Sequence, residues 1–196
     1  MSNEHSFTTP APASLGAFAL ACLGFGAVYL GQVQLGGLPL LAAWLVGGCL
    51  IQLVAAVVEL KDKNLVSGNV FLYFSGIFML AAALSVIAKF LMITHGIKPD
   101  PTIEGWLWLG GTAFLVGMTP AYAKSNLLLF LIVLCADVAL GMIGFLDLGL
   151  LGATTKPIIG YLCVTCGVLA LYLVLAIVTN TTYGKAIFPV PPPLVK

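Results

Sequence analysis

Three polar side chains stand inside long apolar stretches of this sequence, where solubility cannot explain them: Gln52, Glu59 and Asp137. Gln52 and Glu59 share one helical face with two small residues, at i, i+4, i+7 and i+11 counted from Gly48. A narrow polar stripe of this kind can line or gate a pore, or it can join helices through hydrogen bonds. The spacing alone leaves both interpretations open.

Asp137 is the most demanding of the three because it lies near the middle of its stretch, about 16 Å along a helix from Asn126. An ionised carboxylate at the centre of a bilayer costs roughly 2.5–3.5 kcal/mol on insertion scales. No Lys or Arg lies at that depth in any apolar stretch. We therefore expect Asp137 to be a neutral acid or to face an aqueous path, with a neighbouring hydroxyl partner as the structural alternative.

The composition identifies the solvent of this chain. Of its 196 residues, 61% are hydrophobic and 8% are charged, whereas soluble proteins carry about 25% charged residues. Lipid must therefore surround most of the chain. The formal net charge of +1 gives no reason to expect a nucleic-acid partner. All eight basic residues are lysines, so no arginine can clamp a carboxylate with two parallel hydrogen bonds.

Six apolar stretches have about the length that a bilayer core of roughly 30 Å requires of a helix. Gly, Pro, Asp, Asn and Lys residues separate them, as is typical of turns. The stretches are residues 14–33, 38–60, 70–93, 105–122, 127–146 and 157–179. Only helices or closed barrels span lipid, and continuous stretches of this length predict helices.

The predicted fold class is therefore an all-α membrane protein, a six-transmembrane-helix bundle with a pore in each subunit. Residues 1–13 are expected to be a cytoplasmic segment with a Pro-Ala-Pro motif. Residues 14–180 form the transmembrane channel domain, and residues 181–196 form a proline-rich cytoplasmic tail.

Lysines predict the orientation of this bundle. Six spans put both termini on one side, together with Lys61, Lys63, Lys124, Lys185 and Lys196. The other side has Lys98 and Lys156, with Lys89 near the end of the third span. Because cytoplasmic loops carry an excess of basic residues, both termini are predicted to be cytoplasmic.

Signatures of enzymes are missing from the sequence. It contains no P-loop, no H-E-x-x-H, no G-x-S-x-G and no Rossmann glycine pattern. The five cysteines fall in apolar stretches and indicate small buried residues rather than a metal or redox site. We therefore predict neither catalytic activity nor a cofactor nor a metal.

Three motifs, in this order, resemble the acetate uptake transporter family, which includes the bacterial succinate–acetate permeases. The stretch TPAPASL, beginning at Thr9, is similar to the family's Asn-Pro-Ala-Pro-Leu-Gly-Leu. The stretch GGCLIQLVAAVVE, ending at Glu59, is similar to its Gly-Gly, Gln, Ala-Gly and Glu pattern in the second helix. Tyr183-Gly184 with Pro189 is similar to its Phe-Gly and Pro after the sixth helix. Four positions depart from the family: Thr9, Ala13, Ser14 and Ala56.

The resemblance implies a function and an assembly. It implies channel-like or proton-coupled passage of acetate and related small carboxylates, including succinate, across a bacterial inner membrane. Family members assemble as homo-oligomers, specifically hexamers, with one pore in each subunit. The partners implied are small carboxylates, protons and membrane lipid.

The resemblance also implies a hydrophobic constriction built from the first, third and fifth helices. By position, the first helix supplies Phe18 and the fifth supplies Leu134. The third helix supplies Tyr73 or Phe74, with Ser75 as the choice if the alignment contains a gap. A ring of this type passes small solutes and can gate by dewetting.

The remaining polar and proline residues complete the predicted site. Pro10 and Pro12 are predicted to hold an extended plug at the pore mouth, with a simple helix boundary as the alternative. Gln52, Glu59 and Asp137 are candidates for lining or gating the pore. A channel for ammonia or another small neutral solute, and a membrane scaffold without transport activity, are the alternative functions.

Overall fold

The part of the chain that the structure describes consists of six helices joined by short connections. The structure, a computed structural model, describes residues 8–195; residues 1–7 of the predicted N-terminal segment and Lys196 lie outside the described residues. The helices are α1 (Ala11–Tyr29), α2 (Leu38–Lys61), α3 (Leu65–Thr94), α4 (Thr102–Tyr122), α5 (Leu127–Asp147) and α6 (Lys156–Tyr183). Single 3₁₀ turns precede two of them, at Leu35–Gly37 and Ala153–Thr155.

Five of the six helices are long and apolar enough to cross a membrane. The exception is α4, which has 21 residues but carries Glu104 in its first turn and Pro120 near its end. It nevertheless packs closely along α5, so it belongs to the same bundle. The predicted number of helices is therefore correct, although one of the six is more polar than the sequence stretches suggested.

Proline and asparagine residues determine where the helices begin. Pro12 lies in the first turn of α1. A backbone N–H has no partner within the helix at this position, so proline loses no hydrogen bond there. Pro10 directly precedes Ala11, the first residue of α1. The Pro-Ala-Pro motif therefore starts a helix and does not form the predicted extended plug. Asn64 and Asn126 instead cap α3 and α5 with their side-chain oxygens.

Glycines let two pairs of helices approach each other closely. In the α1–α6 pair, a Cβ atom added to Gly26 would lie 3.1 Å from the Gly160 carbonyl oxygen. In the α4–α5 pair, a Cβ atom added to Gly105 would lie 3.0 Å from the Gly144 carbonyl oxygen. Lipid provides little hydrophobic drive for helix association, so such backbone contacts supply packing energy. Other helical glycines, such as Gly47, face open space.

The C-terminal tail folds back onto the bundle. The Asn180 side-chain oxygen accepts hydrogen bonds from the N–H groups of Ile187 and Phe188. Further along, the Val195 N–H donates to the Ala123 carbonyl oxygen at 3.0 Å. The tail therefore lies beside the α4–α5 connection. We call this end of the bundle, which also holds the start of α1, the terminal side.

Candidate functional site

Two apolar cavities lie end to end inside the six-helix bundle. The terminal cavity, of about 110 Å³, lies near the start of α1 and is lined by residues that include Ala11, Leu15, Gln52, Tyr122 and Ile132. The central cavity, of about 60 Å³, lies deeper and is lined by residues that include Phe25, Tyr29, Phe78, Trp108 and Ile143. Both are enclosed by a single chain, so each subunit contains its own candidate pathway.

Phe18, Phe74 and Ala136 form the boundary between the two cavities, since all three line both of them. We call this boundary the throat. The rings of Phe18 and Phe74 meet edge to face, with their centroids 5.8 Å apart. Phe74 is buried and Phe18 is half-buried. The structure therefore brings together two of the predicted constriction residues, from α1 and α3.

A change of helix type positions the α3 side of the throat. The middle of α3, Phe74–Ala81, is π-helical, between α-helical turns on either side. It directs Phe74 and Phe78 to one side, with centroids 4.4 Å apart. Tyr73 turns away and stacks on Phe114 at 4.0 Å, and the Ser75 hydroxyl donates to its own helix at the Leu72 carbonyl.

Leu134 does not reach the throat, which corrects the predicted ring. Its side chain is 43% exposed on the outside of α5. The residues of α5 that line the cavities include Val133, Ala136 and Leu140, at i, i+3 and i+7. Each step along a helix turns a side chain by about 100°, so the neighbouring Leu134 faces outward. Sequence analysis missed Ala136 because a small residue carries no distinctive signal.

Gln52 is the main polar group of the terminal cavity. Its side chain is only 1% exposed. Its Nε2 donates to the Ser14 carbonyl oxygen at 3.4 Å, and its Oε1 has no hydrogen-bond partner among the described residues. The buried Ser14 hydroxyl also has no partner among the described residues, but Ser14 is not part of the cavity lining. A buried acceptor is costly unless something bonds to it, so Gln52 Oε1 is suited to meet the polar end of a solute.

Glu59 joins α2 to the start of α1. The Thr9 hydroxyl donates to Glu59 Oε1 at 2.6 Å, and Asn64 Nδ2 donates to Oε2 at 2.6 Å. The Thr9 oxygen also accepts from the Ala11 N–H at 3.2 Å. Ala11 lines the terminal cavity; Pro10 and Pro12 on either side of it do not appear in that lining. Glu59 therefore holds the start of α1 against the end of α2 at the mouth of the cavity.

Asp137 lies between α5 and α4 and does not line either cavity. The Thr119 hydroxyl lies 2.7 Å from Asp137 Oδ2 and 2.9 Å from the Leu115 carbonyl oxygen. The other carboxyl oxygen, Oδ1, has no hydrogen-bond partner among the described residues. The contact with Thr119 corresponds to the hydroxyl partner given above as the structural alternative.

Charged residues surround the other end of the pathway, opposite the terminal side. An antechamber of about 50 Å³ shares Phe25, Tyr29 and Trp108 with the central cavity. Beyond it lies a vestibule of about 490 Å³. The charged residues that line one or both spaces are Lys89, Glu104, Asp147 and Lys156. They were not predicted as site residues, because each lies near a helix end where charge is ordinary.

Cysteines contribute thiols to the central cavity but no metal site. Cys22, Cys163 and Cys166 line that cavity, and all five cysteines are free. Residues 8–195 contain no group of three or more His, Cys, Asp or Glu side chains arranged to hold a metal ion. The candidate pathway is lined mainly by aromatic and aliphatic side chains, with polar groups near its two ends.

Comparison with known proteins decides the family. The sequence matches the GPR1/FUN34/yaaH family over residues 1–194. The chain belongs to this family. This confirms the resemblance to the acetate uptake transporters that the three motifs indicated. No curated protein matches the chain in sequence.

A solved structure supports the fold of this GPR1/FUN34/yaaH protein. The chain is similar to the bacterial acetate channel SatP, with a TM-score of 0.80 and 21% sequence identity. The match covers 94% of this chain and 99% of that one. The predicted all-α membrane fold is thereby confirmed, and the protein is an integral membrane protein.

Proposed function

We propose that this protein is a channel-like transporter that passes acetate and related short-chain carboxylates, including succinate, across a membrane. The observation that carries the proposal is the throat, where Phe18 and Phe74 separate two apolar cavities within one chain. Hydrophobic constrictions pass solutes that lose water at low cost and can close by dewetting. Acetic acid is small and has one apolar end, so it suits such a throat.

Proton-coupled passage is the form of transport that the terminal cavity favours. The unpartnered Oε1 of Gln52, which lines this cavity, is an acceptor. A protonated carboxylic acid can donate its O–H to this oxygen, whereas a carboxylate has no hydrogen to donate. The absence of arginine from the sequence also removes the strongest carboxylate clamp, which favours rapid release.

The membrane setting follows from the same proposal. We place the protein in a bacterial inner membrane, with its terminal side in the cytoplasm because most lysines lie there. We further propose a homo-oligomer, specifically a hexamer, with one pathway in each subunit. Native mass spectrometry of the protein in detergent tests the subunit number, and a single-mass monomer would contradict it.

Uptake of labelled acetate into proteoliposomes tests the proposed function. We expect uptake well above that of protein-free vesicles. Phe18→Ala widens the throat, so it should raise uptake of butyrate relative to acetate by roughly tenfold, equivalent to about 1.4 kcal/mol of barrier. Phe145→Ala is the matched control, since Phe145 is 43% exposed on the outside of α5.

The same vesicles separate the proposal from its alternatives. Acetate uptake should rise as the external pH falls, whereas carriage of ammonia would show the opposite dependence with methylammonium as the probe. A membrane scaffold would give no uptake of either solute. Equal butyrate-to-acetate ratios for the parent protein and Phe18→Ala would remove the throat assignment.

A further inference from the structure

An ion pair stands at the mouth of the pathway opposite the terminal side. Lys89 Nζ on α3 forms a salt bridge with Glu104 Oε2 on α4. The Ser85 hydroxyl, one turn before Lys89, donates to the other oxygen, Glu104 Oε1. The Lys89 side chain is 33% exposed and that of Glu104 is 15% exposed. The lysine therefore keeps an open face while the carboxylate is nearly covered.

Lys89 lies at the passage between the outer and inner spaces of this mouth. It lines both the vestibule and the antechamber, whereas Glu104 lines only the antechamber. Trp108, one turn after Glu104, lines both the antechamber and the central cavity. The route from the vestibule through the antechamber towards the throat therefore passes the Lys89 ammonium group.

We propose that Lys89 is a binding site for a small carboxylate, and that Glu104 occupies this site at rest as a tethered competitor. The inference rests on the proposed function and names a residue that selects its substrate. Glu104 presents to Lys89 the same chemical group that acetate carries. Because an ammonium is a compact point charge with three donors, one carboxylate can replace another on it without a change of geometry.

The charges around this site make the exchange sensitive to pH. The groups that face Lys89 are Glu104 from α4, Asp147 from α5, Lys156 from α6 and the Tyr29 hydroxyl from α1. The part of α2 that reaches the vestibule contributes only leucines. Two cations then balance two carboxylates, so the mouth is neutral overall. Protonation of Asp147 leaves a net positive charge, so acid on this side favours anion binding.

A purely structural ion pair is the competing interpretation, and the two interpretations predict opposite effects of neutralising Glu104. A structural pair loses stability and function when either partner is removed. A receptor with a tethered competitor gains anion binding when Glu104 is neutralised and loses it when Lys89 is neutralised. Glu104→Gln and Lys89→Met are therefore the decisive variants. Lys89→Arg, which retains the charge, should retain binding.

Iodide quenching of tryptophan fluorescence measures anion access to this site directly. The protein has three tryptophans, and the other two, Trp44 and Trp106, are 58% and 65% exposed. A parent protein with both of these changed to Phe reports only from Trp108. In lipid nanodiscs, iodide should quench this parent more strongly at acid pH than at alkaline pH. Added acetate should reduce the quenching.

The variants should then move the quenching constant in opposite directions. Glu104→Gln should raise it by roughly 1.5- to fivefold at neutral pH, the range expected for removing one partly exposed ion pair. Lys89→Met should lower it to the level of the alkaline parent. Lys98→Met is the matched control, because Lys98 is an exposed lysine beyond the end of α3, and it should leave the quenching unchanged.

Several results would overturn the inference. Quenching that stays at the parent level in Glu104→Gln, or that changes in the same direction in Glu104→Gln and Lys89→Met, contradicts a tethered competitor. Loss of quenching in Lys89→Arg together with Lys89→Met contradicts a charge-based receptor. Acetate uptake by the parent with no response of quenching defeats this inference alone. The expected quenching without acetate uptake defeats the proposed function and leaves the anion site.

Discussion

Glu59 and Glu104 are two glutamates at opposite mouths of one pathway, and they are held in different ways. Glu59 accepts hydrogen bonds from a hydroxyl and an amide, those of Thr9 and Asn64. Glu104 accepts from a hydroxyl and from the ammonium group of Lys89. The side chain of Glu59 is 4% exposed in a closed joint between α1 and α2, whereas Glu104 lines an open antechamber.

The difference shows how one side-chain type can serve two purposes. A carboxylate bound by neutral donors on its own chain holds two segments together, because those donors have no charge that would attract another anion in its place. A carboxylate bound to a partly exposed cation holds a position that another anion can occupy. The two mouths are therefore chemically unlike, and a solute meets an anion site at one end and neutral amide and hydroxyl groups at the other.

The largest expected effect is a difference in stability between two single variants, Glu59→Gln and Glu104→Gln. Glu59→Gln replaces one accepting oxygen with a donor that faces another donor. It should therefore lower the free energy of unfolding by about 1.5–3 kcal/mol, the range for a hydrogen bond to a charged group. Glu104→Gln should cost less, because its ion pair is partly exposed. Thermal unfolding in detergent, followed by tryptophan fluorescence, measures both.

Thr9 supplies the control for this comparison. Thr9→Asn introduces the family's usual residue and keeps a donor near Glu59, so it should preserve stability. Thr9→Val removes the donor and should increase proteolytic cleavage of the N-terminal segment. Equal losses of stability in Glu59→Gln and Glu104→Gln would show that the two mouths are held in the same way.

Gln52→Leu should produce an intermediate effect, on transport more than on stability. Its Oε1 is buried without a partner among residues 8–195, so an apolar replacement of similar size removes a desolvated group at little cost. Acetate uptake should fall severalfold while the thermal midpoint stays the same or rises. A clear loss of stability with unchanged uptake would identify Gln52 as a link between helices instead.

The smallest effect is expected at Asp100, which precedes the helix that carries Glu104. The hydroxyl and N–H groups of Thr102 donate to Asp100 Oδ1, at 2.6 and 3.0 Å. These bonds, the side-chain bond first, lower the pKa of this exposed carboxyl. The stabilisation is present above the carboxyl's unfolded pKa and is lost as the pH falls through its folded pKa.

Asp100→Asn should therefore reduce the melting temperature slightly at neutral pH and not at strongly acid pH. Melting curves recorded across this range check the sign. A difference from the parent that grows towards acid pH would contradict this account of Asp100. The expected effect is on the start of α4 alone, so melting curves are sufficient for this test.

Much of the fold could be predicted from the sequence because it depends on local properties. Apolar length predicted the number of helices, and turn residues predicted their approximate ends. The resemblance to the family, carried over by position from the proline motif, placed Phe18 at the constriction, and Phe18 lines both cavities at the throat. The structure shows which helices pair through small residues, such as α1 and α6 at Gly26 and Gly160.

The remaining features of the site depend on how the helices turn against one another. The π-helical segment of α3 changes the register of every side chain after Tyr73, so sequence spacing could not decide among Tyr73, Phe74 and Ser75. The same problem of rotation placed Leu134 on the outside of α5 and Ala136 at the throat. A shift of one or two residues along a helix therefore decides whether a side chain faces the lipid or the pore.

The sequence by itself determined that the protein lies in a membrane, that it is built from six helices, and that Gln52, Glu59 and Asp137 are polar groups within them that need either partners or water. Composition and helix length decide these points, because lipid requires each segment to satisfy its own backbone. Only the tertiary structure decided which partners those residues meet and that Lys89 meets Glu104 at a mouth. Such contacts arise between helices, where rotation and depth of packing are free until the whole bundle has formed.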